Sequence, residues 1–245
     1  MSSPSGVTSV EAFSMCHLPE DLISRLLTAA HSAPSVGLMQ LSRFIVIRDP
    51  AIRSDVYGVF ERANVQAAAS YAGGRREQYA DLKLEGILEA PQNLCVLCDS
   101  GSGRGHGLGR QTMPETALYS TVCAIHNLWL AARSEGVVVG WVSILDPEKL
   151  REVLYIPAHL TLVACLCLHY VNGFDSEPDL ERHGWERRVP VDLPVPTIEI
   201  QIFTKIQQSS YRATSAVTCW EPSSLQTRLA AFCLSGCFSY PLAVV

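Results

Sequence analysis

No uninterrupted apolar run in this 245-residue sequence approaches the ~20 residues that span a bilayer. The first residues, MSSPSGVTSVEAF, lack both a basic n-region and an apolar h-region, so the expected location is cytoplasmic, without a membrane. Basic excess is missing as well. With 19 Lys and Arg against 24 Asp and Glu, a net charge of -5 and a pI near 5.8, the chain has no basic stripe to follow a phosphate backbone, and nucleic acid is not an expected partner. Cysteine is plentiful, at nine residues, but no second Cys/His pair stands at zinc-site spacing. Cys95 and Cys98 lie in the strand-like NLCVLCD, where residues three apart point to opposite faces; Cys165 and Cys167 share a face. No metal is therefore expected, and an odd cysteine count in a cytoplasmic chain argues against a disulfide framework. The glycine-dense SGSGRGHGLG at 100–109 is not followed by the Lys-Ser/Thr of a P-loop, and reads as a flexible loop.

What is present is enough apolar material, 48%, for one substantial core with appendages. The segment 19–31 (PEDLISRLLTAAH) carries Leu22, Ile23, Leu26, Leu27 and Ala30 at helical spacing behind a proline and two acids. FIVIR at 44–48 is a short strand ended by Asp49-Pro50. A helix over 51–72 should end at Gly73-Gly74, and the polar RREQYADLKLEGILEAP that follows reads as helical up to the strand at Cys95. The longest helical pattern, 114–135, is apolar on most sides and belongs in the centre of a domain or a dimer. VVVGWVSI at 137–144 is a strand, Asp146-Pro147 caps a short helix, and LTLVACLCLHYV at 160–171 is a further strand. This alternation indicates a layered α+β or α/β domain over 14–192, with a separate segment at 1–13 and an extension at 193–245.

Between the first helix and the first strand stands SAPSVGLMQLS, whose Pro34, Ser35, Gly37 and Gln40 offer hydroxyl, amide and bare backbone instead of bulk. Such a junction suits a planar polar ligand. Together with DLKLEGILEAP, GRQTMPETALYSTVCAIHNLWLAARSEGVVVGWVSIL, LVACLCL and EPDLERHGWERR, it resembles the nitroreductase-like flavoproteins and, within them, the 5,6-dimethylbenzimidazole synthases. The resemblance implies an α+β nitroreductase-like fold: a mostly antiparallel central sheet flanked by helices, one long central helix, and a homodimer with FMN at its interface. It implies an oxygen-dependent enzyme for which reduced FMN is the substrate, delivered by a flavin reductase and broken down to the lower ligand of vitamin B12 in cobalamin biosynthesis.

The same resemblance implies roles for particular residues. Pro34, Ser35, Gly37, Met39 and Gln40 would lie along the ribityl chain and ring of the flavin, with the backbone at Ile144 near its N5 edge. Ser143 would be catalytic, its hydroxyl facing the reactive part of the ring, and Arg188, beside Arg187, would meet the phosphate. The sequence also departs from the family. Gly6, Val7, Thr8, Ser9 and Val10 stand where the family carries Arg-Arg-Asp-Val-Arg, Leu41-Ser42 replaces a Pro-Trp, and His169 replaces a glycine. Two other functions stay open: an NAD(P)H-dependent FMN oxidoreductase acting on nitro or quinone compounds, and a folded homologue that no longer binds FMN productively.

Overall fold

The structure, a computed structural model, describes residues 17–189. The 1–13 segment and the 193–245 extension therefore lie outside the described residues. Helix α1 spans Glu20–His31, with Pro19 at its N-cap and Glu20 and Asp21 in a first turn where their charges favour the helix dipole. Its Leu22, Ile23, Leu26 and Ala30 are buried, as the spacing predicts. A 3-10 turn at Val36–Leu38 leads into strand β1, Ser42–Ile47. Asp49 caps helix α2, Pro50–Ala69, by accepting from the Ala51 amide at 2.7 Å.

Helix α3 covers only Gly74–Ala80, so the helical reading of the whole stretch to Pro91 is corrected. Beyond Ala80 the chain runs through a non-helical passage, with a turn closed by the Ala90 amide on the Gly86 carbonyl at 2.8 Å. Gly86 and Pro91 break the pattern there, and Leu82 and Leu84 alternate with charged residues instead of recurring at helical spacing. Strand β2 (Gln92–Cys98) is buried along its whole length. Helix α4 (Thr116–Ser134) follows, then β3 (Val137–Val142), α5 (Pro147–Val153), β4 (Thr161–Tyr170) and the short α6 (Asp179–Arg182). Asp146 caps α5 with its side chain, as its pairing with Pro147 predicts.

The four strands form one sheet in the order β1-β2-β4-β3, every pair antiparallel. Helices cover both faces, which explains why β2 and the second half of β4 have no solvent side. Leu94 and Val96 of β2 join Leu22 and Leu26 of α1 and Ile125 and Leu128 of α4 in one core. Cys95 and Leu97 point the other way, to Val56 and Phe60 of α2 and Leu150 of α5. Cys165 and Cys167 are both on this second face, whereas Cys98 packs in a third cluster with Met39, Leu41 and Ala117. Burial in apolar surroundings pushes the Cys95 and Cys165 thiols up to about 12, so both are inert neutral groups at pH 7.

The 100–109 segment is an ordered turn rather than a loose loop. Its 3-10 stretch, Arg104–Gly107, lies against the Val36–Leu38 turn so tightly that a Cβ on Gly105 would stand 2.4 Å from the Gly37 carbonyl oxygen. Both glycines have positive φ, +55° and +69°, which L side chains rarely adopt. On α4, Leu118, Tyr119, Val122 and Leu130 remain exposed among the described residues. No helix among them is long and apolar enough to cross a membrane.

Candidate active site

Two separate places hold the residues singled out from the sequence. The first is a cavity of about 280 Å³ beside the edge strand β3. Its floor is the second face of the sheet: Val138, Gly140 and Val142 of β3 with Cys167 and His169 of β4. Gly140 lies opposite Cys167, and a Cβ added to Gly140 would approach nothing closer than 3.9 Å, so the glycine keeps the space above the strand open. The 83–86 segment forms the roof, α6 closes one end with Asp179 and Leu180, and Ser143 and Ile144 line the other end, just beyond β3. Ser143 is exposed and Ile144 half-buried.

The roof is fixed by charge and hydrogen bonding. Lys83 Nζ stands 2.6 Å from Glu89 and 3.5 Å from Glu85, and the Glu85 carboxylate accepts from the Ile87 amide at 2.6 Å. Arg53 of α2 and Asn93 of β2 donate to the Ile87 carbonyl from behind. At the far end the Asp179 carboxylate pairs with Arg182 at 2.6 Å and lies 3.2 Å from His183 Nδ1. Burial lowers the His169 pKa and outweighs its Nδ1 contact with the Tyr170 carbonyl at 3.0 Å, so the imidazole is neutral at pH 7. Burial also drives the Cys167 thiol well above its ordinary value.

The second place is the 34–40 loop. Ser35 Oγ accepts from the Gln40 amide at 3.1 Å, and Ser120 Oγ of α4 accepts from the Val36 amide at 3.0 Å. The Gln40 side chain donates to the His31 carbonyl at 3.3 Å and accepts from Arg104 at 3.2 Å. Gly37, Leu38 and Gln40 all have positive φ, 55°, 53° and 49°, a strained turn held by these bonds and by the apposed 104–107 turn. Pro34 is exposed, but Met39 is fully buried at 0% exposure, so its side chain is committed to packing against Leu41, Cys98 and Ala117.

These two places are not joined within one chain. The loop enters the sheet at Ser42 on edge strand β1, and Ser143 leaves it from the opposite edge strand β3, three strand spacings or about 14 Å across the sheet. Arg188 is exposed and lines neither the Ser143 cavity nor the small cleft at Ser35 and Gln40. Four polar lining residues, Lys83, Glu85, His169 and Asp179, were not singled out from the sequence as site residues. A signal existed for one of them: His169 is the lone residue in the strand LVACLCLHY whose ordinary titration falls near neutral pH. Among the described residues no group of three His, Cys, Asp or Glu could hold a metal ion.

Among known proteins, the 5,6-dimethylbenzimidazole synthase of Rhodospirillum rubrum is 47% identical over 173 residues, covering 71% of this chain and 82% of that protein. Among solved structures, oxidized iodotyrosine deiodinase bound to FMN and 3-iodo-L-tyrosine superposes with a TM-score of 0.60 at 19% identity, over 78% of this chain and 95% of the other. A BluB-like flavoprotein from Clostridium difficile 630 gives 0.55 at 18% identity, over 76% and 92%. Both structural likenesses agree on the α+β fold, an antiparallel sheet between helices. The family model described as the nitroreductase family matches residues 8–170, a span that contains the 34–40 loop, all four strands and Ser143. On that match and that fold, the chain belongs to the nitroreductase family.

Proposed function

We propose that this oxidoreductase takes reduced FMN as its substrate and, with molecular oxygen, fragments it to 5,6-dimethylbenzimidazole for cobalamin biosynthesis. The observation that carries this reading is the 47% identity to a relative of that name. The residues present fit a flavin ring, because the space above Gly140 is open while Ser143 and Ile144 line the cavity's end. Bound there, the reduced flavin supplies the electrons for the reaction with oxygen. The chain's own groups do the rest. Ser143 Oγ hydrogen-bonds to charge developing on the ring edge, the Ile144 backbone orients that edge, and the 83–86 roof excludes water. Arg188, exposed and outside both places within one chain, is the group this reading assigns to the phosphate through its planar fork, in the absence of the family's N-terminal arginines.

Because the 34–40 loop and Ser143 occupy opposite sheet edges, this reading needs a homodimer. Pro34, Ser35, Gly37 and Gln40, with the Met39 backbone, contact the ring and ribityl chain from a second copy. The exposed apolar residues of α4 are the surface on which that copy seats. In the same reading 14–192 is the catalytic domain, a separate flavin reductase supplies the substrate, and the reaction takes place in the cytoplasm.

The test mixes the purified chain with reduced FMN and air and follows flavin absorbance and product. Irreversible bleaching with formation of dimethylbenzimidazole supports the proposal. Reversible turnover with NAD(P)H would instead indicate a lasting flavin cofactor, a reading the closed 83–86 roof argues against because nicotinamide needs room above the ring. Absence of flavin binding would overturn both.

A further inference from the structure

Behind the roof of the Ser143 cavity lies a second cavity, of about 500 Å³, between α2, α3 and the 82–85 segment. Helix α2 contributes Tyr57, Phe60 and Asn64, spaced so that they share one face. Helix α3 contributes Arg76 and Tyr79. The aromatic walls are close to one another: the Tyr57 and Phe60 centroids are 6.2 Å apart, and Tyr79 is held in place by its hydroxyl, which donates to Asn64 Oδ1 at 2.6 Å.

The polar groups of this cavity are unevenly used. Its acceptors already have partners, since Asn64 Oδ1 takes the Tyr79 hydroxyl and the Glu85 carboxylate takes the Ile87 amide and faces Lys83. Its donors do not. Among the described residues the half-buried Asn64 amide nitrogen donates to no protein group, and the exposed Arg76 guanidinium has no protein hydrogen bond or ion pair, only its backbone amide reaching the Gly73 carbonyl. Aromatic walls with surplus donors select a flat ring that carries acceptors and negative charge. A carboxylate matches one guanidinium and one amide; a phosphate dianion would set a second negative charge against Glu85.

We propose that this second cavity is a binding site for a planar aromatic carboxylate, with the ring lying against the wall formed by Tyr57, Phe60 and Tyr79 and the carboxylate on Arg76 and Asn64. Its volume is within the range of ordinary small-molecule sites. Lys83, Leu84 and Glu85 line both cavities, so an occupant touches the back of the wall whose front faces Ser143. Occupancy of either cavity is thereby coupled to the other, and the coupling is reciprocal.

The test titrates 2-naphthoate, a fluorescent two-ring carboxylate, into the full chain without flavin, alongside the neutral 2-naphthylmethanol. Saturable binding of the carboxylate at one per chain is expected, with the alcohol about tenfold weaker, the loss of one charge-assisted hydrogen bond at a partly open site. Arg76→Gln should weaken 2-naphthoate by about the same factor. Arg75→Gln is the control, because the Arg75 guanidinium stacks on Trp185, 4.8 Å from the ring centroid, and does not line the cavity; it should bind as the parent does. Amide hydrogen exchange should slow at 82–85. Equal binding by the Arg76→Gln and parent chains, no saturation at millimolar probe, or protection confined to other segments would each overturn the site.

Discussion

Arg53 on α2 closes on the carbonyl oxygen of Ile87 with two of its nitrogens, Nε at 3.2 Å and Nη2 at 2.8 Å. The same Nη2 donates to the Leu88 carbonyl at 2.9 Å and to that of Ala90. One half-buried guanidinium thus ties the eleven-residue non-helical passage between α3 and β2, including the roof of the Ser143 cavity, to a helix. Arg53→Met leaves these carbonyls without their charged donor and should cost about 2 to 4 kcal/mol in urea unfolding, given ~1.5 to 3 kcal/mol for a hydrogen bond to a charged group. Arg53→Lys, a point charge without the fork, should recover only part of that loss. A midpoint unchanged in the methionine variant would show that the passage is held by Asn93 and Glu85 alone.

Ser143→Ala separates a chemical role from a structural one. Flavin affinity should stay near that of the parent while fragmentation slows roughly a hundredfold to a thousandfold, the usual loss of ~2.7 to 4 kcal/mol for one polar contact to developing charge. Product formation under saturating reduced FMN and oxygen is the measurement. A parent-like rate would remove Ser143 from the chemistry.

Val122 is 42% exposed on the outer face of α4, next to Leu118 and Tyr119. Val122→Glu should convert the proposed dimer to monomers in sedimentation and abolish flavin binding, while the thermal midpoint of the monomer changes little, because the side chain is exposed within one chain. A dimer of undiminished affinity in this variant would move the interface elsewhere.

Tyr155 follows α5 with φ of 51° and 86% exposure. The Ile156 amide donates to the Arg151 carbonyl at 3.0 Å and the Tyr155 amide to Glu152 at 3.4 Å, the paired bonds of a Schellman helix end, where glycine is the favoured residue. Tyr155→Gly should therefore stabilise the fold by ~1 kcal/mol, the cost of a left-handed side-chain residue less the extra freedom of glycine when unfolded. A melting temperature raised by a few degrees is the expected reading; a lowered one would mean that the tyrosine ring has a partner.

His169 gives the stability a pH dependence. Its folded pKa lies below the unfolded value, since burial penalises the charged ring, so the unfolded chain binds a proton first as pH falls. Stability should drop from about pH 6.5 downward until the folded imidazole also protonates. His169→Gln should flatten that limb of the curve, with the neighbouring Lys83, Glu85, Asp179 and Cys167 unchanged. Parallel curves for parent and variant between pH 7 and 5 would assign the dependence to other groups.

Local chemistry made much of the fold legible. The proline ahead of α1 and the acids in its first turn, the Asp146-Pro147 cap and the apolar runs of the strands act within a few residues, and they appear where the sequence puts them. The end of α3 was less legible, because the passage beyond it is held by Arg53 from a helix some thirty residues earlier. The Ser143 cavity was legible at one end only. Lys83, Glu85 and Asp179 look like ordinary surface charges in sequence, and only the turn after Gly86 and the placement of α6 bring them over β3. Nor could periodicity tell that Met39, inside a polar loop, is core.

The contact between Gly105 and the Gly37 carbonyl bears on how this surface can vary. Two loops almost seventy residues apart in the chain share a boundary too close for even one methyl group, so they form one packed unit assembled from two strips of sequence. A surface loop ordinarily accepts insertions and deletions with little penalty. Here the length and shape of either strip are dictated by the other. Grafting one of them from a relative, without its counterpart, would transplant half of a joint.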